Sequence, residues 1–212
     1  MDTNLKKYHQ AFLLFTIAQL FMTLGLLGYA GTIKALSDWM FLFSIFQFVA
    51  FILMIIASTK LRDFNKNYFY AFLSAVICLF IALLASVSKE STEDFTVAWG
   101  RGLSVSSDIL LCIVYAYFFL GSKDHFIETG LERNVKRSKF GFIFVISMTI
   151  LINLIAFIGS FNTVKTNFIA AMIFRYGGLL MKFLMYLFMF IVLVLMMSEM
   201  KKDSKKEDIS HE

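Results

Sequence analysis

Six apolar runs of about twenty residues fill most of the chain and set the solvent in which it folds. The hydrocarbon core of a bilayer is crossed by a helix of roughly 20 apolar residues, because each backbone N–H and C=O must be bonded within the segment. The runs predict an all-α, polytopic membrane protein with six transmembrane helices, at 11–30, 39–58, 68–87, 103–120, 140–159 and 168–197. Together they form one bundle over 1–198, followed by a charged tail over 199–212 whose composition predicts disorder. Hydrophobic residues make up 59% of the chain, more apolar surface than a soluble fold of this size can cover. The gaps between runs leave no room for a folded aqueous domain.

A pI near 9.1 in a soluble protein would point to nucleic acid. Here the basic residues alternate with the spans instead, so no nucleic-acid partner is expected. Lys6, Lys7, Lys60, Arg62, Lys66, Lys123, Arg133, Lys136, Arg137, Lys139, Lys201, Lys202, Lys205 and Lys206 fall on one side. Lys34, Lys89, Arg101 and Lys165 fall on the other, and Arg175 and Lys182 lie in the last run. The positive-inside rule then predicts a cell (plasma or inner) membrane protein with both termini cytoplasmic. The first run imitates a signal peptide, with Lys6 and Lys7 ahead of it and Gly28-Tyr29-Ala30 at its end. Its length and its likeness to later segments predict a retained span.

Three tandem helical hairpins are suggested by a recurring opening: Lys7-Tyr8-x-x-Ala11-Phe12, Asn67-Tyr68-x-x-Ala71-Phe72 and Lys139-Phe140-x-x-Ile143-Phe144. With 26 phenylalanines in the chain, composition alone also produces such matches. The segment 121–139 carries Glu128, Glu132 and Lys136 at helical spacing and an apolar stripe of Ile127, Leu131 and Val135. This pattern predicts a short amphipathic helix on the cytoplasmic membrane surface, either a linker helix resting on anionic lipid or a place for a protein partner to dock.

Small and polar residues in bilayer helices face one another, and large apolar ones face lipid. Such stripes include Thr16, Gln19 and Thr23; Ser44 and Gln47; Ser74 and Cys78; Ser104, Asp108, Cys112 and Tyr115; Thr149 and Asn153; and Arg175, Gly178, Lys182 and Tyr186. A charge at the bilayer centre costs at least about 2.5–3.5 kcal/mol, so the charged members need a reason. Asp108, Asn153 and Arg175 are expected in the outer third, with Gln19, Gln47 and Lys182 nearer the middle. These six residues are the candidate ligand-binding set. They would line a weakly cationic cleft open to the outside, suited to a small anionic molecule or a lipid headgroup. On that reading Lys182→Met lowers ligand retention and leaves folding intact. The competing reading places Arg175 at the interface as an ion-pair partner of Asp108, with Lys182 snorkelling outward.

The three histidines lie outside the spans, and no glutamate lies within one. That predicts no intramembrane metal, no haem and no cofactor. No Ser-His or Cys-His pair forms at depth, so an enzyme is not expected. The absence of proline disfavours the broken helices on which many transporters build their sites. The substrate-binding subunits of energy-coupling-factor vitamin transporters are similar in size and topology. Their A-x-x-x-A contact motif is missing here, since Phe15 follows Ala11 and Met22 follows Ala18, and that family is not assigned. Three functions stay open: a non-enzymatic binding module or subunit of a membrane transport or envelope complex, a structural or regulatory protein acting through 121–139 and the tail, and a stand-alone transporter or channel.

Overall fold

The computed structural model describes residues 3–26, 40–88, 94–161, 164 and 166–210. Six helices account for nearly all of them: α1 Thr3–Leu26, α2 Met40–Leu61, α3 Lys66–Ser88, α4 Asp94–Glu128, α5 Glu132–Gly159 and α6 Phe168–Ser210. No strand occurs among the described residues. Segments of α1, α3, α4, α5 and α6 are long and apolar enough to cross a bilayer; in α2 the stretch Ile45–Leu61 is apolar but shorter. The whole of α2, 22 residues, rises about 33 Å at 1.5 Å per residue. The chain is a helical polytopic membrane protein.

Each helix packs on its neighbours in sequence, and α6 returns to pack on α1. The six helices therefore close a ring. Aromatic side chains fill its centre. Phe15 stacks on Phe118 with centroids 3.9 Å apart, and Phe12 meets both Phe118 and Phe126, which joins α1 to α4. Such ring pairs contribute about 0.5–1.5 kcal/mol each beyond the area they bury. Tyr8 closes one end of this stack, lying flat on His125 at 3.6 Å. Large apolar residues such as Phe80, Phe140, Ile150 and Phe157 are exposed on the outer surface, where lipid meets them.

A polar belt rings the end of the bundle that holds both ends of the chain. It contains Arg62–Asp63, Lys123–Asp124, and Arg133 and Arg137 around Glu199. Within it, Asn65 caps α3 by accepting from the Asn67 backbone N–H, and Asn65 and Asn67 both donate their amides to Asp124 of α4. On the α5–α6 seam, buried Asn134 donates to the Met196 carbonyl and Arg137 to the Leu195 carbonyl.

Three sequence expectations change. No separate surface helix spans 121–139: α4 runs on to Glu128, and α5 begins at Glu132. The join is a Schellman turn, in which Leu131 N–H bonds Phe126 O, Gly130 N–H bonds Ile127 O, and Gly130 takes φ 72°. Ser122, Phe126, Asn134 and Ser138 are buried, Leu131 and Val135 of the apolar stripe pack against the core beside them, and Ile127 stays exposed. Next, α6 does not stop at Met197 but continues to Ser210, because no glycine or proline after Gly178 breaks it. Residues 211 and 212 of the expected tail lie outside the described residues. Finally, the third hairpin does not follow the register of Phe140 and Ile143, which are exposed. Buried Ser138, Gly141 and Val145 instead take the places of Tyr8, Ala11 and Phe15 in α1 and of Tyr68, Ala71 and Ala75 in α3.

Candidate functional site

Lys182 Nζ of α6 donates to Asp108 Oδ2 of α4 at 2.6 Å, an ion pair inside the apolar length of both helices. The polar belt sets its depth. Asp108 lies about 24 Å along α4 from Asp124, and Lys182 about 26 Å along α6 from Glu199. The hydrocarbon core is about 30 Å thick, so the pair sits inside it near the boundary opposite the belt. Arg175 lies a further 10 Å or so outward on α6, at headgroup depth. It is exposed and makes no ion pair among the described residues.

The structure therefore pairs Asp108 with Lys182, whereas the sequence allowed Arg175 as its partner. Lys182 shares the level of Asp108 and is not deeper. The helix α6 passes through Gly177 and Gly178 without a break. Asn153 comes to the same level as the pair, about 24 Å along α5 from Arg137. Its amide donates to Thr149 O one turn back.

Gln19 is fully buried and belongs to a second, deeper group. Its Oε1 accepts from the Tyr115 hydroxyl at 2.6 Å, and its amide donates to Phe15 O at 3.2 Å. One lone pair of the carbonyl and one N–H of the amide are thus taken up by α4 and α1. Gln19 is a link between helices and does not join the charged pair. Gln47 stands half-buried on α2 beside Phe46, whose ring meets Phe21 of α1.

Two partners were not part of the candidate set. The Cys78 thiol of α3 donates to Ser107 O of α4 at 3.3 Å, next to Asp108. Cys112, one turn from Asp108, lies beside Thr149 of α5. Their signal in the sequence was the spacing of Asp108, Cys112 and Tyr115, which shares one face of α4.

The buried core stops at the ion pair. Counting outward from Asp108, Asn153 and Lys182, no residue of 102–107, 154–159 or 168–181 is buried. Toward the belt, burial begins within one turn, at Leu111, Ile152 and Met185. Asp108 and Lys182 are each about a quarter exposed (25% and 24%), so the pair forms the floor of the less tightly packed end.

The chain matches no protein-family model, no curated protein and no solved structure.

Proposed function

We propose that this protein is a non-enzymatic, multi-pass membrane protein that binds a lipid or small molecule bearing a carboxylate or phosphate at the end opposite the polar belt. The observation that carries this reading is the position of the Asp108–Lys182 pair where the buried core stops. An ammonium has three donors, and Asp108 takes one of them. The remaining two are open to a ligand, since Lys182 is about a quarter exposed, and Arg175 supplies a guanidinium about 10 Å farther out. An anionic head held at Arg175 would place the adjoining part of its molecule over the pair, with Asn153 beside it.

The orientation belongs to the same proposal. The alternation of basic residues assigns the belt to the cytoplasm and the binding end to the outside of a cell membrane. A cysteine at Thr129, in a chain with Cys78 and Cys112 replaced, would then be labelled by an impermeant thiol reagent only after the cytoplasmic face is opened. Labelling from outside reverses the assignment.

Native mass spectrometry of the gently solubilised protein tests the binding. A co-purifying small molecule or lipid that is lost both in Arg175→Gln and in the double variant D108N/K182M supports the reading. A bare wild-type chain, or a ligand retained equally by both variants, overturns it.

A second reading draws on the helical continuation of α6. From Glu199 to Ser210 the helix projects about 16 Å past the belt. A regulatory partner would engage this projection, since 121–139 is part of the bundle. Removing residues 203–212 would abolish partner capture and leave the melting temperature unchanged; unaffected activity would rule the reading out.

A further inference from the structure

A depression lies at the belt end of α2 and α3, lined by Arg62, Asp63, Phe64, Asn65, Lys66, Phe69 and Tyr70. It is far from the Asp108–Lys182 pair and in the opposite membrane leaflet. Its charges are two cations and one acid. Arg62 and Asp63 are only 3.6 Å apart but exposed, with Asp63 85% exposed, so water screens their attraction. The nearest other acid, Asp124, is engaged by Asn65, Asn67 and Lys123. Lys60 is turned away to Gln10 of α1. The depression is therefore left cationic by Arg62 and Lys66.

Its floor is aromatic. The Arg62 guanidinium lies 5.9 Å from the Phe72 ring centre, which steadies its position, and Tyr70 is braced by Tyr117 of α4 at 5.2 Å. Phe69 and Tyr70 are exposed at the depth where amphipathic rings meet headgroups. From there a continuous apolar track runs down α3 through Leu73, Ile77, Phe80 and Leu84, all exposed. The track is about 21 Å long from Tyr70 to Leu84.

We infer that this depression is a site for the phosphate headgroup of an anionic phospholipid in the belt-side leaflet. Arg62 and Lys66 hold the phosphate, Asn65 and Tyr70 flank it, and one acyl chain lies along the α3 track. The acyl track selects a lipid over a free anion, and the two cations select an anionic headgroup over a zwitterionic one. Cations beside a membrane surface attract anionic lipid through the same field that sets the topology.

The test is native mass spectrometry of the full chain with equimolar phosphatidylglycerol and phosphatidylcholine. Wild type retains phosphatidylglycerol in preference. R62Q/K66Q lowers that retention roughly tenfold, and K136Q/K139Q, which removes equal charge from exposed positions at the same end, lowers it far less. Phosphatidylglycerol also raises the melting temperature of wild type and not of R62Q/K66Q, whose own cooperative melt without lipid, at the wild-type temperature, shows that the variant is folded. Equal loss in the two double variants would mean diffuse attraction and overturn the site. Equal retention of phosphatidylcholine, or displacement by millimolar inorganic phosphate, would overturn it as well. Arg175→Gln leaves this retention unchanged, so the outcome is separate from that of the site at the other end.

Discussion

The Tyr115 hydroxyl and the Gln19 side-chain carbonyl meet at 2.6 Å in the buried middle of the bundle, joining α4 to α1 across the ring. Neither group can turn to water there. Tyr115→Phe and Gln19→Leu should each lower stability by about 0.6–2 kcal/mol, the range for hydrogen bonds between membrane helices. Q19L/Y115F should cost clearly less than the sum, because it leaves neither partner stranded. Unfolding in detergent measures all three, and additive losses would show that the bond contributes nothing.

Breaking the Asp108–Lys182 pair from one side leaves a charge in an apolar layer. The cleft reading of the sequence alone expects Lys182→Met to leave folding intact; the pair reverses that. Lys182→Met and Asp108→Asn should each destabilise by up to about 3 kcal/mol, less to the extent that water reaches the quarter-exposed groups. The double variant D108N/K182M should recover most of the loss. Thermal melts of the four proteins decide it, and singles as stable as wild type would mark both charges as reaching water unaided.

Gly141 is required by close packing. A Cβ there would lie 2.6 Å from the Phe119 ring. Gly141→Ala should cost about 1–3 kcal/mol, and Phe119→Leu in the same chain should restore part of it. Gly177 faces open space, with nothing within 4 Å of a built Cβ. Gly177→Ala should therefore stabilise by about 0.5–1 kcal/mol through helix propensity. The same sign at both positions would contradict the packing of α4 on α5.

The α5–α6 seam separates buried from exposed polar contacts. Asn134 is fully buried, and Asn134→Ala removes the donors that hold the Met196 carbonyl and the acceptor used by Arg137. A loss of about 1–3 kcal/mol is expected. Arg133 reaches Glu199 at 3.6 Å from an exposed position, and Arg133→Ala should cost less than about 1 kcal/mol. Hydrogen exchange at Leu195–Met200 would distinguish them, rising in the first variant and not in the second.

Hydropathy made the helices legible because lipid-facing residues must be apolar along the full span. It missed the helix ends between 121 and 139 for a physical reason. The buried face there is Ser122, Phe126, Asn134 and Ser138, mostly small or polar groups that pack without raising hydropathy. The apolar stripe divides, with Leu131 and Val135 packed against the core and Ile127 exposed. Gly130 was the available signal, a lone glycine after Thr129 where a left-handed turn ends one helix. In the candidate set, Asp108 and Lys182 meet as an ion pair, with Arg175 farther out on α6. Which cation meets Asp108 depends on the axial offset of α4 against α6, which no periodicity within a single helix encodes. Gln19 was grouped with the charges by residue type, although its partner, Tyr115, lies on a helix ninety-six positions away.

The closed ring has a consequence for the order in which the protein is made. The face of α1 is finished by Tyr115 of α4 and by α6, where Thr16 Oγ1 contacts Met197 Sδ at 4.0 Å. Helices enter a membrane from the N-terminus onward. Gln19 of α1 therefore lacks its partner until α4 has been synthesised, the Thr16 side of the same helix stays uncovered until α6 follows, and the ring closes only when α6 packs on α1.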